Sequence, residues 1–238
     1  MPTASPLAKI TAADDGIHGT WHKLDQSFYD RPVTTVARDI LGCLLIHKTA
    51  EGLHMGRIVE VEAYLGPGDL AAHTSRGRTP RTRAMFGPPG HAYVYLVYGM
   101  HHCMNVVTGP EGSGTAVLLR ALAPVQGLEV VSNGPGRLCK AMGITMDHYG
   151  IDLCSDTLWL ARDESAAPEA ISTSPRIGVD YAGEEWASKP LRFYVEGHPA
   201  VSRRPSSHKK AVSSKVHAVR NAATSVATTA DKEQPGSK

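Results

Sequence analysis

The chain has 238 residues and a formal net charge of +2, with 25 basic against 23 acidic side chains. That length suits one large domain, and so even a balance leaves any nucleic-acid binding to local patches rather than to a global excess of charge. Four cysteines, Cys43, Cys103, Cys139 and Cys154, form no Cys-x-x-Cys pair, which argues against a disulfide framework or a zinc knuckle and points to a reducing cytoplasm.

Residues 1–24 mix Ala, Thr, Pro, Asp and Gly without periodicity and read as a flexible leader, with order expected from near Phe28. No basic-then-apolar signal pattern occurs there, and the longest apolar runs of the chain are broken by Arg120 or by glycine, so no membrane partner is expected. Apolar residues at Val33, Val36, Ala37, Ile40 and Leu41 have helical spacing, closed by Gly42. Leu44 to His47 reads as a strand, and the Ala50-Glu51-Gly52 turn leads into a second. That second strand, Arg57 to Tyr64, alternates: Val59, Val61 and Ala63 are assigned to one face, and Ile58, Glu60, Glu62 and Tyr64 to the other. Two carboxylates and an aromatic on one strand face are an odd choice for a purely structural element.

Gly66 to Gly90 is a long Gly- and Pro-rich connection holding Arg76, Arg78, Arg81 and Arg83, with one helical turn predicted over Asp69 to His73. His91 to Tyr98 and His101 to Thr108 are two strand-like runs joined at Gly99-Met100, which reads as a hairpin or a tight corner. Ala116 to Leu122 is a buried strand interrupted by Arg120, a charge that needs a carboxylate partner or a site to serve. Asn133-Gly134-Pro135-Gly136 opens a Pro-initiated helix through Met142, whose free amides could bind an anion. Leu158 to Ala161, Arg176 to Val179 and Leu191 to Val195 complete the strands. Residues 203–238 form a basic tail expected to be disordered.

Tyr93, Tyr95 and Tyr98 read either as core packing or as a surface on which bases stack. Glu60 and Glu62, about 6.5–7 Å apart at their bases, also fit the acid and base of an inverting sugar hydrolase. A non-enzymatic binder of distorted DNA is a further alternative. The histidines His73, His91, His101 and His102 with Cys103 lack chelating spacing, so no metal site is expected.

The strings Arg57-Ile-Val-Glu-Val-Glu-Ala-Tyr-Leu-Gly-Pro67, Ala71-Ala-His73, Thr79-Pro-Arg81 and Tyr93-Val-Tyr-Leu-Val-Tyr-Gly-Met-His-His-Cys-Met-Asn105 resemble the alkyladenine (3-methyladenine) DNA glycosylase family, in its bacterial branch. Val117-Leu-Leu-Arg120-Ala121, Asn133-Gly-Pro135 and Lys189-Pro-Leu-Arg-Phe-Tyr-Val195 match in order, over roughly residues 26–202. The resemblance implies a mixed α/β domain over residues 25–202, built on a curved, largely antiparallel sheet with flanking helices and a hairpin that enters DNA. It implies hydrolysis of the N-glycosidic bond of damaged purines in double-stranded DNA, with no cofactor or metal, by a monomer. Residue by residue, Glu62 matches the general base that activates water and Arg120 the arginine that helps hold it. Tyr64, His73 and Tyr95 match the groups around the extruded base, and Asn105 the residue that disfavours guanine's amine. Tyr98 matches the wedge in the minor groove, with Met100 beside it as a second DNA contact.

Overall fold

The computed structural model describes residues 9–10, 21–164, 166 and 169–202. The basic tail and most of the leader lie outside the described residues. Ten strands form one sheet in which every pairing is antiparallel: β1 (Lys9–Ile10), β2 (Trp21–Lys23), β3 (Leu44–Thr49), β4 (Gly52–Tyr64), β5 (Ala92–Val97), β6 (His101–Thr108), β7 (Thr115–Gln126), β8 (Leu158–Asp163), β9 (Ile171–Ser174) and β10 (Arg192–Val195). Among the described residues four short α-helices accompany it: α1 (Gln26–Tyr29), α2 (Val33–Asp39), α3 (Pro135–Met142) and α4 (Glu184–Ser188). The spatial order is β1-β2-β8-β3-β4-β7-β6-β5, with β10 on β4 and β9 on β10.

The 13-residue β4 organises this sheet. Along one edge its first half pairs with β3 and its second half with β10; along the other edge it pairs with β7. Alternation then sorts side chains onto two faces. Ile58, Val61, Ala63, Val94, Met104, Val106, Val117 and Leu119 share one buried core with Val36 and Ala37 of α2, Ile40 just after it, and Leu138, Cys139 and Met142 of α3. The helices thus cover one face, and the residues between these core positions point to the other. There Trp21, Leu44, Ile46, Met55 and Trp159 close one end of the sheet, while the tyrosines of β4 and β5 line the opposite end.

The strict alternation assigned to β4 breaks at one place. Ile58 pairs with Leu122 and Val61 with Leu119, with Glu60 opposite Ala121 between register shifts. Ile58 therefore joins Val61 and Ala63 in the helix-side core, whereas Val59 packs with Ala121 and Val195 on the far side. A bulge is the reason: an extra residue resets the phase of a strand without ending it. Its effect is to let β4 and β7 each present consecutive residues to the far face, where Glu60 and Arg120 meet.

Other expectations are corrected. Arg176–Val179 is irregular, and the strand lies earlier, at Ile171–Ser174. Asp69–His73 is not a helical turn but part of successive turns, closed by Ala72 N to Asp69 O (2.8 Å) and Ser75 N to Ala72 O (3.0 Å). Order begins before Phe28: Trp21 and Leu24 are buried, and β2 pairs with β8. The hairpin stands as read, with Val97 opposite His101, and α3 starts on Pro135 and ends at Gly143 in the left-handed region (φ +65°).

Candidate active site

The far face of β4 carries both carboxylates. Glu60 and Glu62 have no exposed surface, yet their surroundings differ. Glu60 Oε1 accepts from Arg120 Nε (2.8 Å), Arg192 Nε (2.7 Å) and Ser202 Oγ (2.7 Å), and its Oε2 accepts from the Ser202 amide (2.6 Å). Burial alone would raise its pKa, but Arg120, Arg192 and Ser202 outweigh that and hold it below the usual carboxylate value. With both oxygens committed to such donors, Glu60 is a structural anion.

Glu62 is held more lightly. Its Oε1 accepts from the Ile177 amide (2.7 Å) and lies 3.3 Å from Arg120 Nη1, and its Oε2 accepts from the Tyr64 hydroxyl (3.0 Å). Arg120 therefore bridges the two carboxylates. Burial opposes its charge, but Glu62 and Glu60 more than compensate and raise its pKa. A carboxylate oxygen can take two donors, so Oε2 keeps a vacant acceptor direction.

Above this pair lies a cavity of about 300 Å³. Tyr64, His73, Tyr95, Tyr98, Asn105 and Arg120 all line it, so six of the eight residues singled out in the sequence border one space. Glu62 sits just behind the wall that Tyr64 and Arg120 form. Met100, 69% exposed, stands outside at the hairpin tip. Tyr93 and Tyr95, two residues apart on β5, stack at 5.4 Å and 27° between ring planes, and His73 meets Tyr95 edge-on at 4.6 Å. His73 Nδ1 lies 2.9 Å from the Tyr93 hydroxyl. Desolvation by these rings, then the nearby Arg81 charge, lower the pKa of His73 to about 4. Asn105 donates its amide to the Tyr93 carbonyl (3.2 Å).

The connection that carries His73 is fastened at both ends. Asp69 accepts from the Leu65 and Ala71 amides (3.0 Å each) and forms a two-pronged pair with Arg176, Nη1 to Oδ2 at 2.6 Å and Nη2 to Oδ1 at 2.9 Å. Burial would raise the pKa of Asp69, but Arg176 and the backbone amides lower it. Further along, the Tyr149 hydroxyl donates to the Arg81 carbonyl (3.0 Å). Of these residues the sequence singled out neither Asp69 nor Ser202, and it read Arg176 and Arg192 only as strand residues. Arg192 carried the signal already used for Arg120, a charge inside an apolar run; Arg176, which follows Ser174-Pro175, and Ser202 did not.

At the rim, the β5–β6 turn places Tyr98 at φ +52° and Gly99 at φ +69°, with Met100 N donating to Val97 O (3.2 Å). Two successive left-handed residues make a type I′ turn. Tyr98 is the one non-glycine residue with positive φ among the described residues, and it is 89% exposed. A bulky side chain in that conformation is a strained one, and nothing in its own packing explains it.

Comparison with known proteins settles the family. The methylpurine-DNA glycosylase family matches residues 27–199. The chain belongs to the methylpurine-DNA glycosylases. Relatives named "Putative 3-methyladenine DNA glycosylase" include those of Myxococcus xanthus (strain DK1622), 52% identical over 184 residues covering 76% of this chain and 94% of that protein, and of Legionella pneumophila (strain Corby), 50% identical over 181 residues covering 76% and 98%. A Bacillus cereus (strain Q1) relative of the same name is 47% identical over 201 residues, covering 75% and 98%. The protein is accordingly a DNA glycosylase, a hydrolase of N-glycosyl bonds that serves DNA repair. Its committed Glu60 also disfavours the sugar-hydrolase alternative, which needs two working carboxylates. No helix among the described residues is long and apolar enough to cross a membrane.

Proposed function

We propose that this glycosylase, as a monomer in the bacterial cytoplasm, extrudes alkylated or deaminated purines from duplex DNA into the aromatic cavity. The lesions it releases are of the 3-methyladenine, 7-methylguanine, hypoxanthine and ethenoadenine class. The observation that carries this reading is the placement of Glu62 against the wall formed by Tyr64 and Arg120, in a cavity whose rim bears the exposed Tyr98.

Tyr98 fills the gap left in the stack, with Met100 against the neighbouring groove. Unstacking a base costs a few kcal/mol, and the inserted ring offsets part of it. Tyr64, His73 and Tyr95 surround the base, and Asn105 opposes an exocyclic amine at the guanine position. Entry of the nucleotide draws the Tyr64 hydroxyl from Glu62 Oε2, which leaves that oxygen free for water. The water oxygen bonds to the sugar C1′ as the C1′–N bond breaks; its proton passes to Glu62, and the base leaves with the bonding electrons. Arg120 anchors the carboxylate, whose negative charge also stabilises the positive charge developing on the sugar. A cationic alkylpurine departs as a neutral base, whereas hypoxanthine must gain a proton, and the products are a free base and an abasic site.

The test is base release from otherwise identical duplexes bearing each of the four lesions. Free base and an intact backbone are expected for at least the methylated purines, and no release from any of them would end the reading.

A further inference from the structure

Two guanidinium groups stand against the cavity's tyrosines from outside. Arg176 lies 4.7 Å from the centre of the Tyr64 ring and Arg81 5.5 Å from that of Tyr95. Neither arginine borders the cavity, whereas both rings do. Tyr95 also borders a second groove, on the side of the sheet edge where Arg81, Arg83 and Tyr149 lie, so its ring separates Arg81 from the space meant for the base.

The two cations are not equivalent. Arg176 is neutralised by its two-pronged pair with Asp69. Among the described residues no carboxylate forms an ion pair with Arg81, and its backbone is pinned by the Tyr149 hydroxyl. Its side chain therefore sets an uncompensated positive charge over the Tyr95 ring, with a further hydrogen bond to the neighbouring Tyr93.

A cation on one face of an aromatic ring draws on the same negative π potential that would attract a cation to the other. It also repels a positive charge directly through the ring. Alkylated purines carry such a charge and hypoxanthine does not. We infer that Arg81 is a specificity-determining residue: placed behind Tyr95, it weakens the pocket's hold on positively charged bases relative to neutral ones. This rests on the proposed base-binding role of the cavity. The chemistry gives the bias a use, because cationic lesions leave readily without tight binding, whereas a neutral lesion depends on being held long enough to be protonated. Arg81 is a positioning residue in this sense, acting on the base through Tyr95.

The test compares two duplexes identical except for 3-methyladenine, which is cationic, or hypoxanthine, which is neutral. Single-turnover release is measured against enzyme concentration at about pH 8, where an unperturbed histidine is also neutral, so His73 contributes no charge in any variant. Arg81→Gln should raise the ratio of efficiencies, 3-methyladenine over hypoxanthine, by about two- to fivefold, the range expected of an exposed cation–π contact. The change should fall on the half-saturating concentration rather than on the maximal rate. Arg81→Lys should restore the wild-type ratio, because it keeps the charge. Arg83→Gln should leave the ratio unchanged, since Arg83 lies over Tyr149, 5.6 Å from its ring centre. Loss of a phosphate contact would slow both lesions alike and leave the ratio where it was, and that result overturns the inference. So does a ratio that moves toward hypoxanthine, or one that Arg81→Lys fails to restore. Failure of wild type to release either base would instead overturn the base-binding reading beneath it.

Discussion

Replacing Glu60 by glutamine tests whether the two carboxylates of β4 have separate duties. Glu60 is fully buried and accepts four hydrogen bonds within 2.8 Å, two of them from Arg120 and Arg192. Glutamine keeps the shape but offers a donor where one oxygen had only donors facing it, and it leaves two buried guanidinium groups short of a counter-charge. Breaking a buried pair from one side costs about 3–5 kcal/mol. With a urea dependence of about 2 kcal/mol per M, the unfolding midpoint should fall by about 2 M. Glu62→Gln is a milder change, because an amide oxygen can still accept from the Ile177 amide while its nitrogen donates to the Tyr64 hydroxyl, and Arg120 keeps Glu60. The assay is urea unfolding followed by tryptophan fluorescence, Trp21 and Trp159 being buried against β3 and β4. A Glu60→Gln midpoint within about 0.3 M of wild type, close to the error of such measurements, would refute the reasoning, as would a larger loss for Glu62→Gln.

Tyr98→Gly should leave stability unchanged or raise it by up to about 1 kcal/mol, since it removes left-handed strain at the expense of backbone entropy. The same variant should release bases from duplex DNA at least about tenfold more slowly, reflecting the few kcal/mol of unstacking no longer offset, with a smaller loss on single strands. A destabilised variant, or one with undiminished duplex activity, would contradict the wedge assignment. The lowered pKa of His73, about 4 against an ordinary 6.5, means that the native state binds fewer protons than the unfolded state between those values. Stability should therefore fall as pH drops from 6.5 toward 4. His73→Gln should flatten part of that fall when midpoints at neutral pH and at about pH 4.5 are compared; parallel falls in the two proteins would rule out the assignment.

Much of the sheet was legible because period two is a strong signal where one face is buried. The hairpin, the Pro-initiated helix and the Arg120 partner requirement all stand in the structure. What local pattern could not supply was the bulge in β4, because a phase reset depends on what faces the strand from β7 and not on β4 itself. The same limit hid the clamp on Glu60. Ser202 lies 142 positions away in the chain, and nothing in its neighbourhood marks it as a donor. Arg176 failed differently: its apolar neighbours Ile177 and Val179 imitate a strand, while in the fold they border the cavity and Arg176 turns back to Asp69. For the site, family resemblance named residues that chemistry alone would have left ambiguous, above all which of two adjacent carboxylates works.

That choice is measured most directly by single-turnover release of 3-methyladenine or hypoxanthine from duplex DNA by wild type and Glu62→Gln, with lesion binding followed in parallel. Loss of a general base should slow release by about 10²- to 10⁴-fold, with lesion affinity and the urea midpoint little changed. A folded Glu62→Gln protein that binds the lesion and releases it at the wild-type rate would contradict the assignment of Glu62 as the residue that activates water.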